Sequence, residues 1–352
     1  MTPIDEKKLG AFVQQALGDL AAGFGGVMVS LGHKSGLYRA MRDAGPLGAA
    51  ELAERAGCAE RYVREWLNSQ AAGGYVTYDA QRDAYELPPE QAMVLADEES
   101  PVFIPPAWDV PASIWFDEDK MLHAFRTGEG VAWGDHHERL SCGSAAFFRA
   151  PYRANLVASW LPALDGVVDR LERGATVADV GCGHGHSTLI MAEAYPQSRF
   201  VGFDAHGDSI AAANANADKA GVADRVEFRE ATAKTFPGRD YDLVCFFDCL
   251  HDLGDPLGAA RHARQALAPD GTVMLVEPFA HDRIEDNLNT VGRLFYCGST
   301  TICCPHSLSE EGGMALGAQA ADSRLARIFE DAGFRSFRRA TENPFNRIFE
   351  AR

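Results

Sequence analysis

The chain of 352 residues is 46% hydrophobic and 24% charged, which is typical of a globular protein and long enough for two domains. Its formal net charge of -17 argues against nucleic acid or an anionic membrane as a partner, because both bind basic surfaces. No apolar stretch reaches the length of a membrane span, the N-terminus lacks a signal-peptide pattern, and the eight cysteines have no framework spacing. We therefore expect a cytoplasmic protein with reduced cysteines.

The first 95 residues are predicted to form a mostly helical domain. An apolar leading stretch, two short helices and two strand-like segments follow one another at 26–41, 49–56, 60–72, 75–78 and 84–87. This order is that of a winged helix-turn-helix, for which DNA binding is the usual function. Positions 1–95, however, hold nine Lys and Arg against twelve Asp and Glu, so DNA binding is disfavoured.

Residues 96–173 are predicted to be a helical linker that covers a pocket, and 174–352 an α/β domain with a long insertion at 277–320. In the α/β domain, strand-like segments alternate with helical ones, which is typical of a parallel sheet with helices on both faces. Strands are predicted at 176–180, 199–203, 225–229, 241–247, 271–276, 335–340 and 345–350. Helices are predicted at 187–195, 207–220, 256–268 and 322–332.

A glycine-rich loop after the first of these strands is the most informative segment. Asp179 precedes the loop, and Gly181, Gly183 and Gly185 follow at every second position. Glycines allow a sharp turn and a close approach to a ligand, and the next helix offers free N–H groups to a negative group. A dinucleotide fingerprint needs its third glycine one place later, where this chain has His186, so an NAD(P) oxidoreductase is disfavoured.

Further motifs follow the next strands. Asp204 ends the second strand, and its carboxylate could accept both hydroxyls of a ribose or, alternatively, cap the following helix. The third strand runs into a turn that contains Ala231 and Thr232. The fourth strand ends at Phe247 and is followed by Asp248. Polar groups thus follow successive strands at the edge where an open α/β sheet binds its ligands.

Together these motifs resemble those of class I S-adenosylmethionine (SAM) methyltransferases, over residues 176–276. With the N-terminal winged helix, the whole chain resembles the plant-type small-molecule O-methyltransferases. The resemblance implies an α/β fold, with a Rossmann-like seven-stranded methyltransferase sheet and an N-terminal, mostly helical winged-helix domain. It also implies SAM as the cofactor, S-adenosylhomocysteine as its product, a small-molecule acceptor methylated at oxygen, and a homodimer whose shared surface is the stretch 26–41.

The resemblance also implies which residues hold the cofactor. The glycine loop would lie beneath the methionine end, the acid of the second strand would bind the ribose, and the turn after the third strand would follow the adenine edge. The expected cofactor-binding residues are Asp179, Gly181, Gly183, Gly185, His186, Asp204, Ala205, Ala231, Thr232, Phe247, Asp248 and Tyr152.

A general base is implied by the segment after the fourth strand. In the family that the chain resembles, a Leu-His-Asp segment supplies this base, and Leu250, His251 and Asp252 are at the matching positions. His251 is therefore the predicted base, with Asp252 or Asp248 to orient its ring. An unperturbed imidazole titrates at about pH 6.5, so a neutral ring can accept a proton at cellular pH. The alternative is a histidine that caps the next helix.

The acceptor pocket is expected between the linker and the insertion. Phe148 and Tyr152 could form its aromatic wall, or they could simply pack against the sheet. In the insertion, Phe279, Tyr296 and Cys303 are the expected pocket residues.

Metal binding is not predicted. The insertion does hold possible ligands for a soft metal or an arsenical at Cys297, Cys303, Cys304 and His306. Their mixed spacing, without a C-x-x-C motif, favours thiols that line the pocket.

A second class of function is a winged-helix regulator or sensor that binds SAM without transferase activity. Such a protein would carry a basic recognition helix and would have lost His251. The chain shows neither feature, so methyl transfer is the favoured function.

Overall fold

The computed structural model describes residues 3–352, which form two compact units. The first unit ends at Pro111, and the second runs from Ala112 to Arg352. This boundary divides the predicted linker, 96–173, between the two units. Within the described residues, no helix has both the length and the apolar character needed to cross a membrane.

The first unit contains helices and one small hairpin. In chain order its elements are α1 (Glu6–Lys34), α2 (Leu37–Met41), α3 (Ala49–Ala56), α4 (Glu60–Ala72), β1 (Thr77–Asp79), β2 (Ala84–Glu86) and α5 (Pro89–Leu95). The two strands pair antiparallel, so the order is the predicted one of a winged helix-turn-helix. Its apolar core is formed around Tyr38, Leu52 and Leu67, which are almost completely buried.

Helix α1 is longer than the sequence predicts. The apolar pattern indicates a leading stretch at 26–41, whereas α1 begins at Glu6, where the Asp5 side chain caps the first turn by accepting two backbone N–H groups. The predicted stretch is broken after Lys34 because Gly36 adopts a left-handed φ of 76°. It therefore comprises the end of α1 and the whole of α2.

Much of α1 is exposed. Its buried residues are Gly26, Val29 and Gly32, and the two glycines let Trp108 and Trp66 approach, since a Cβ at either position would overlap an indole ring. Eight large apolar side chains of α1 are between 44% and 68% exposed: Leu9, Phe12, Val13, Leu17, Leu20, Phe24, Val27 and Leu31. Such a continuous apolar surface is typical of a helix that packs against a partner.

The second unit is an α/β domain preceded by helices. The helices α6 (Asp109–Phe116), which begins before the boundary, α7 (Glu118–Thr127), α8 (Arg139–Asn155) and α9 (Val167–Arg173) come first. Then follow β3 (Thr176–Val180), α10 (His186–Ala194), β4 (Arg199–Asp204), α11 (Gly207–Ala220), β5 (Val226–Glu230), β6 (Tyr241–Phe247), α12 (Pro256–Ala266) and β7 (Leu267–Pro278). The last elements are α13 (Thr290–Gly298), α14 (Cys304–Ser309), α15 (Asp322–Asp331), β8 (Phe337–Glu342) and β9 (Asn346–Ala351).

Seven strands form one sheet in the order β5-β4-β3-β6-β7-β9-β8. The first five are parallel, and β9 runs antiparallel to both β7 and β8. This sheet confirms the predicted fold class. Strand β7 begins at Leu267, earlier than predicted, because Leu267 already pairs with Tyr241 across a register shift in the ladder.

Two apolar clusters cover the two faces of the sheet. Successive strand residues alternate between them: Val177 belongs to the cluster around Trp160, and Ala178 belongs to the cluster around Phe329. Both faces are therefore buried, as a parallel sheet requires.

The topology determines where a ligand can bind. From β3 the chain proceeds to β4 and β5 on one side, and it then returns to β6 on the other side of β3. The connections diverge at the carboxyl ends of β3 and β6 and leave a crevice there. The insertion 277–320 is folded into α13 and α14, which are joined by a π-helical turn at Ser299–Cys303.

Candidate functional site

A cavity of about 580 Å³ lies at the carboxyl ends of β3, β4, β5 and β6. This volume is within the range of about 300–1,000 Å³ that is typical of small-molecule sites. Its lining comes from 132–134, 141, 144–145, 148, 152, 180–184, 186–187, 204–206, 209, 231–234, 247–249, 252–253, 255, 306 and 310–311. The cavity lies wholly within the second unit.

The glycine loop forms one side of the cavity. Gly181, Gly183 and Gly185 have left-handed φ values of 74°, 52° and 78°. A Cβ at Gly181 would lie 2.7 Å from Cys249 Sγ, and one at Gly185 would overlap the Phe228 ring. A Cβ at Gly183 would meet no heavy atom within 4 Å, and this residue lines the cavity, whereas Gly185 does not. Gly185 therefore serves packing, and Gly183 leaves space for a ligand.

Asp179 lies beneath the loop and does not line the cavity. Its buried Oδ2 accepts hydrogen bonds from the hydroxyls of Ser187 and Thr188, each at 2.6 Å. Burial raises the pKa of this carboxyl to about 6. Asp179 thus connects the end of β3 to the first turn of α10. At that turn His186 lines the cavity, and burial lowers the pKa of its ring to about 4, so it is neutral.

Asp204 lines the cavity at the end of β4. Its Oδ2 accepts from Gly183 N–H at 2.9 Å, and its Oδ1 accepts from His206 N–H at 2.9 Å. Ala205 and Ala231 line the cavity beside it, and Ala231 N–H donates to the Asp204 carbonyl at 2.9 Å. The side chain therefore joins the glycine loop to the β4 turn, and it keeps free lone pairs because each oxygen accepts a single hydrogen bond from the described residues.

Thr232 completes this side of the cavity. Its hydroxyl pairs with that of Thr235 at 2.7 Å, at the start of the segment that follows β5. The turn after β5 thus offers backbone groups and a hydroxyl to the cavity.

Asp248 follows β6 in a strained conformation and lines the cavity. Its φ of 50° is in the left-handed region. This conformation is costly for a residue other than glycine, and residues that adopt it cluster at functional sites. Tyr152 O–H donates to Oδ2 at 3.0 Å, and Asn346 Nδ2–H donates to Oδ1 at 2.8 Å. Burial and the nearby Glu277 carboxylate raise the pKa of Asp248 to about 8.

Aromatic rings form the wall beside Asp248. Phe148 is stacked on Tyr152 with ring centroids 5.6 Å apart, and Tyr152 also contacts Phe247 at 5.4 Å. Trp133 lies edge-on to His306, whose Nδ1 accepts from Trp133 N–H at 3.1 Å. All five residues line the cavity, so the linker and the insertion both contribute to its wall.

His251 is 3% exposed and lies behind the cavity wall, which its neighbour Asp252 reaches. His251 Nδ1–H donates to Glu277 Oε2 at 2.7 Å. Its Nε2 lies 3.1 Å from Asp252 Oδ1, but that oxygen has no aligned hydrogen-bond partner among the described residues. Burial alone would lower the pKa of His251, but the carboxylates of Asp252 and Glu277 hold it well above its usual range.

Cys303 contacts the same group from the insertion. Its Sγ, a ring nitrogen of His251 and a carboxylate oxygen of Asp252 lie within 4.8 Å of one another, which is compatible with a metal site. Burial raises the pKa of the Cys303 thiol to about 12, so the sulfur is protonated at neutral pH, whereas metal ligands are thiolates. The absence of a metal stays a prediction.

None of the three expected pocket residues of the insertion, Phe279, Tyr296 and Cys303, lines the cavity. The Phe279 ring contacts His281 edge-on, and Tyr296 is half-buried on α13. Glu310 and Glu311, which follow α14, line the cavity instead.

Two residues that the sequence analysis did not identify support the site. Glu277 is a completely buried acid near the end of an apolar strand, a pattern that could have indicated it. Asn346 comes from the start of β9, far along the chain, and nothing in the local sequence marks it. Glu277 accepts a hydrogen bond from His251, and Asn346 donates one to Asp248. Both of these partners are predicted site residues.

Comparisons with known proteins agree with this architecture. Residues 23–97 match the sequence profile of the Rv2258c-like winged helix-turn-helix domain, and residues 171–333 match that of a methyltransferase domain. The chain therefore combines a winged helix-turn-helix domain with a methyltransferase domain, as the sequence motifs predict.

Curated methyltransferases match part of the chain. A trans-aconitate 2-methyltransferase from Streptomyces avermitilis is 32% identical over 105 residues, which are 30% of this chain and 39% of that protein. The 27-O-demethylrifamycin SV methyltransferase from Amycolatopsis mediterranei is 30% identical over 148 residues, which are 41% and 51% of the two chains. The chain thus spans about half the length, or less, of these relatives.

Solved structures share the fold over the whole chain. The mitomycin 7-O-methyltransferase MmcR is 19% identical with a TM-score of 0.69, over 98% of this chain and 99% of that one. PigF, solved with S-adenosylhomocysteine, is 18% identical with a TM-score of 0.72 and 99% coverage of both chains. Human N-acetylserotonin methyltransferase, solved with SAM, is 16% identical with a TM-score of 0.70, over 100% and 99%. At these identities the likeness establishes the fold.

The glycine loop predicts a difference between two alanine variants. Gly185→Ala should lower the free energy of unfolding by about 1–3 kcal/mol more than Gly183→Ala, because only its Cβ would overlap a buried ring. Both variants carry the cost of a left-handed alanine, so Gly183→Ala is the matched control. Urea denaturation followed by circular dichroism measures the difference. Equal midpoints for the two variants would contradict the packing role of Gly185.

Proposed function

We propose that this protein transfers the methyl group of SAM to a small organic acceptor, at oxygen, with S-adenosylhomocysteine as the second product. The observation that carries the proposal is the methyltransferase-domain match over residues 171–333, together with the cavity at the carboxyl edge of that domain. Solved relatives of the same fold hold SAM or S-adenosylhomocysteine.

The residues around the cavity fit this cofactor. Gly183 lines the cavity, and a Cβ there would meet no heavy atom, so the backbone can approach the methionine end of the cofactor. Asp204 has lone pairs left for the ribose hydroxyls, and Ala231 and Thr232 line the place expected for the base. Asp248 and Tyr152 adjoin the crevice between β3 and β6, beside the methionine end.

The chain's own residues would align the acceptor and take up its proton. The cofactor supplies a sulfonium methyl that is already activated, so alignment and exclusion of water contribute much of the rate. Glu277 holds Nδ1 of His251, so Nε2 is the atom that would lose its proton as the pH increases and could then receive one from the acceptor. Asp252, which lies between His251 and the cavity, would orient both the ring and the acceptor. We therefore keep His251 as the general base and Asp252 as its partner.

A regulator without transferase activity is not favoured, and we propose no nucleic-acid partner. In α4, the candidate recognition helix, Arg61 pairs with Glu65 at 2.5 Å and Arg64 with Glu60 at 2.7 Å. Each arginine of the helix is thus offset by a neighbouring carboxylate, which disfavours phosphate binding.

We propose that the protein is a homodimer in which a second copy covers the exposed apolar side chains of α1. Their number and continuity over the helix exceed what a monomer usually exposes. A cytoplasmic location is also proposed, because all eight cysteines are free.

Calorimetry with SAM and S-adenosylhomocysteine tests the cofactor. Both should bind the wild-type protein, and Asp204→Ala should weaken binding by about 1–3 kcal/mol, because a charged acceptor of hydrogen bonds is lost. Asp208→Ala, an exposed acid outside the cavity, is the control and should bind normally. Unchanged affinity in Asp204→Ala would remove this residue from the site, and no binding by the wild-type protein would refute the proposed function.

The role of His251 is tested by the pH dependence of the rate. Because its pKa is raised, the neutral form grows as the pH increases above neutrality, so wild-type kcat/KM should increase with pH on the alkaline side of neutrality. His251→Ala should lower kcat by roughly 10²–10⁴-fold with SAM affinity nearly intact, and the loss should shrink as the pH approaches the pKa of the acceptor. His123→Ala, at an exposed position outside the cavity, is the control.

Two results would contradict the base role of His251. A uniform loss at all pH values would indicate positioning, and full activity of His251→Ala would indicate that proximity alone supports transfer.

The dimer is tested by light scattering at micromolar concentration. The wild-type protein should have the mass of two chains, and the double variant Leu17→Glu/Leu20→Glu should have the mass of one, because charges would replace apolar contacts on α1. Tyr62→Glu, on the exposed side of α4, is the control and should leave the mass unchanged. A monomeric wild-type protein would be decisive against the dimer.

A further inference from the structure

We propose that Asp248 and the rings of Phe148, Tyr152 and Phe247 form a cation site for the sulfonium charge of SAM. Through this site the protein would distinguish SAM from S-adenosylhomocysteine, whose sulfur is neutral. The inference rests on the proposed methyl transfer and gives a role to one part of the same cavity. Its basis is a buried carboxyl group that lies beside aromatic rings and whose two hydrogen-bond donors are uncharged.

The carboxyl group of Asp248 is largely removed from water. The residue is 9% exposed and lines the cavity at the end of β6. Its two donors are the Tyr152 hydroxyl, at 3.0 Å, and the Asn346 side-chain amide, at 2.8 Å. Neither donor carries a charge that could offset an ionised carboxylate. A carboxylate that is buried in this way attracts a cationic ligand, because burial weakens its solvation.

The charged groups around Asp248 leave this attraction in place. Glu277 and Asp252 are acids, and the cation near them, His251, lies between the two, 2.7 and 3.1 Å from their carboxylates. Among the described residues that line the cavity, Lys234 is the one lysine or arginine, and carboxylates beside the turn after β5 pair with it. The cations of the protein are therefore paired with other acids, and a cation of the ligand can pair with Asp248.

Three aromatic rings line the cavity beside this carboxyl group. Phe148 and Tyr152 are stacked with centroids 5.6 Å apart, and Tyr152 contacts Phe247 at 5.4 Å. Aromatic faces attract cations through their negative potential. A sulfonium has no N–H group and needs only such a potential, whereas an ammonium has three donors that require acceptors. Each oxygen of Asp248 already accepts one hydrogen bond, so the rings and the carboxylate together fit a sulfonium better than an ammonium.

The topology brings this site to the place expected for the sulfur of the cofactor. In the proposed arrangement the ribose lies at Asp204, after β4, and the base lies at Ala231, after β5. The rest of the cofactor extends the other way, past the glycine loop after β3 and towards the end of β6, where Asp248 lies. Because sulfur joins the ribose to the methionine part, it would lie between the ends of β4 and β6.

Methyl transfer would remove the charge that this site recognises. The methyl group bonds to the acceptor oxygen, which loses its proton to the proposed base. The electron pair of the broken C–S bond stays on sulfur, and the cofactor becomes a neutral thioether. The attraction to the carboxylate and the rings is then lost, which favours exchange of the product for a new SAM molecule.

The same site links SAM binding to a proton. Burial and the Glu277 carboxylate raise the pKa of Asp248 to about 8, so its carboxyl group is largely protonated at neutral pH. A bound sulfonium favours the ionised form, so SAM binding should release a proton, and SAM affinity should increase as the pH rises towards the pKa of this group. S-adenosylhomocysteine should release no proton through Asp248, because its sulfur is uncharged.

Calorimetry with SAM and S-adenosylhomocysteine at neutral pH tests the cation site. Titrations in phosphate and in Tris measure proton release, because the two buffers differ in ionisation enthalpy. The wild-type protein should release more protons with SAM than with S-adenosylhomocysteine. Asp248→Asn removes the charge and suits the left-handed backbone, so it should abolish this difference and reduce the ratio of SAM to S-adenosylhomocysteine affinity by about fivefold or more.

Two further variants complete the test. Phe148→Leu removes one ring of the wall and keeps the carboxyl group, so it should reduce the affinity ratio severalfold and leave the proton release in place. Asp208→Asn, at an exposed position outside the cavity, is the control and should change neither quantity. Circular dichroism establishes whether each variant is folded.

Failure of this inference and failure of the proposed function give different results. If neither ligand binds the wild-type protein, the proposed function is refuted. If both bind and Asp248→Asn leaves their affinity ratio unchanged, only the cation site is refuted. An equal loss of both ligands would assign the carboxylate to the ammonium group that they share, and it would also overturn the site. If Asp248→Asn is unfolded, the affinity ratio of Phe148→Leu and the proton release of the wild-type protein decide, and an unchanged ratio or no release refutes the site.

Discussion

The hydrogen bonds that join the glycine loop to the end of β4 are the constraint on which the site depends. Gly181 N–H and Cys182 N–H both donate to the Phe203 carbonyl, at 2.7 and 3.0 Å, and Gly183 N–H donates to the Asp204 carboxylate at 2.9 Å. The loop can reach these acceptors because its glycines adopt left-handed φ values. One set of bonds therefore places the first turn of α10 and the acid of β4 at the same cavity, where a charged or polyol ligand can contact both.

The buried acids on the other side of the cavity explain why a histidine is needed there. Glu277 is completely buried, Asp252 is only 15% exposed at the cavity, and the protonated ring of His251 is the cation that offsets both acids. Loss of that proton leaves two carboxylates beside a neutral ring, so proton uptake is strongly favoured. The same pairing that allows these acids to be buried thus keeps His251 protonated near neutral pH, so the ring becomes available as a proton acceptor only as the pH increases.

Local patterns in the sequence account for most of the sheet. The strands predicted at 176–180 and 241–247 have the same bounds as β3 and β6. Their bounds can be predicted because each strand is a short run of β-branched and aromatic residues that lies between turn residues, and this is a local pattern. The first two-thirds of α1 lie outside the predicted leading stretch, although the exposed apolar residues there recur at the intervals of three or four residues that a helix requires. The apolar side chains of such a helix are spaced to pack against a surface outside its own chain.

The sequence by itself determined which motif follows each strand: the glycine loop after β3, the acid at the end of β4 and the histidine after β6. Each of these motifs depends on residues that are close together in the chain. Tertiary structure alone decided the rest of the site. Asn346 reaches Asp248 only because β9 lies antiparallel beside β7, and Glu310 lines the cavity only because α14 ends beside the turn after β6. The same folding directs Phe279 away from the cavity, since side-chain direction in a long insertion is determined by packing. Contacts between distant segments are a property of the packed fold, and no local pattern encodes them.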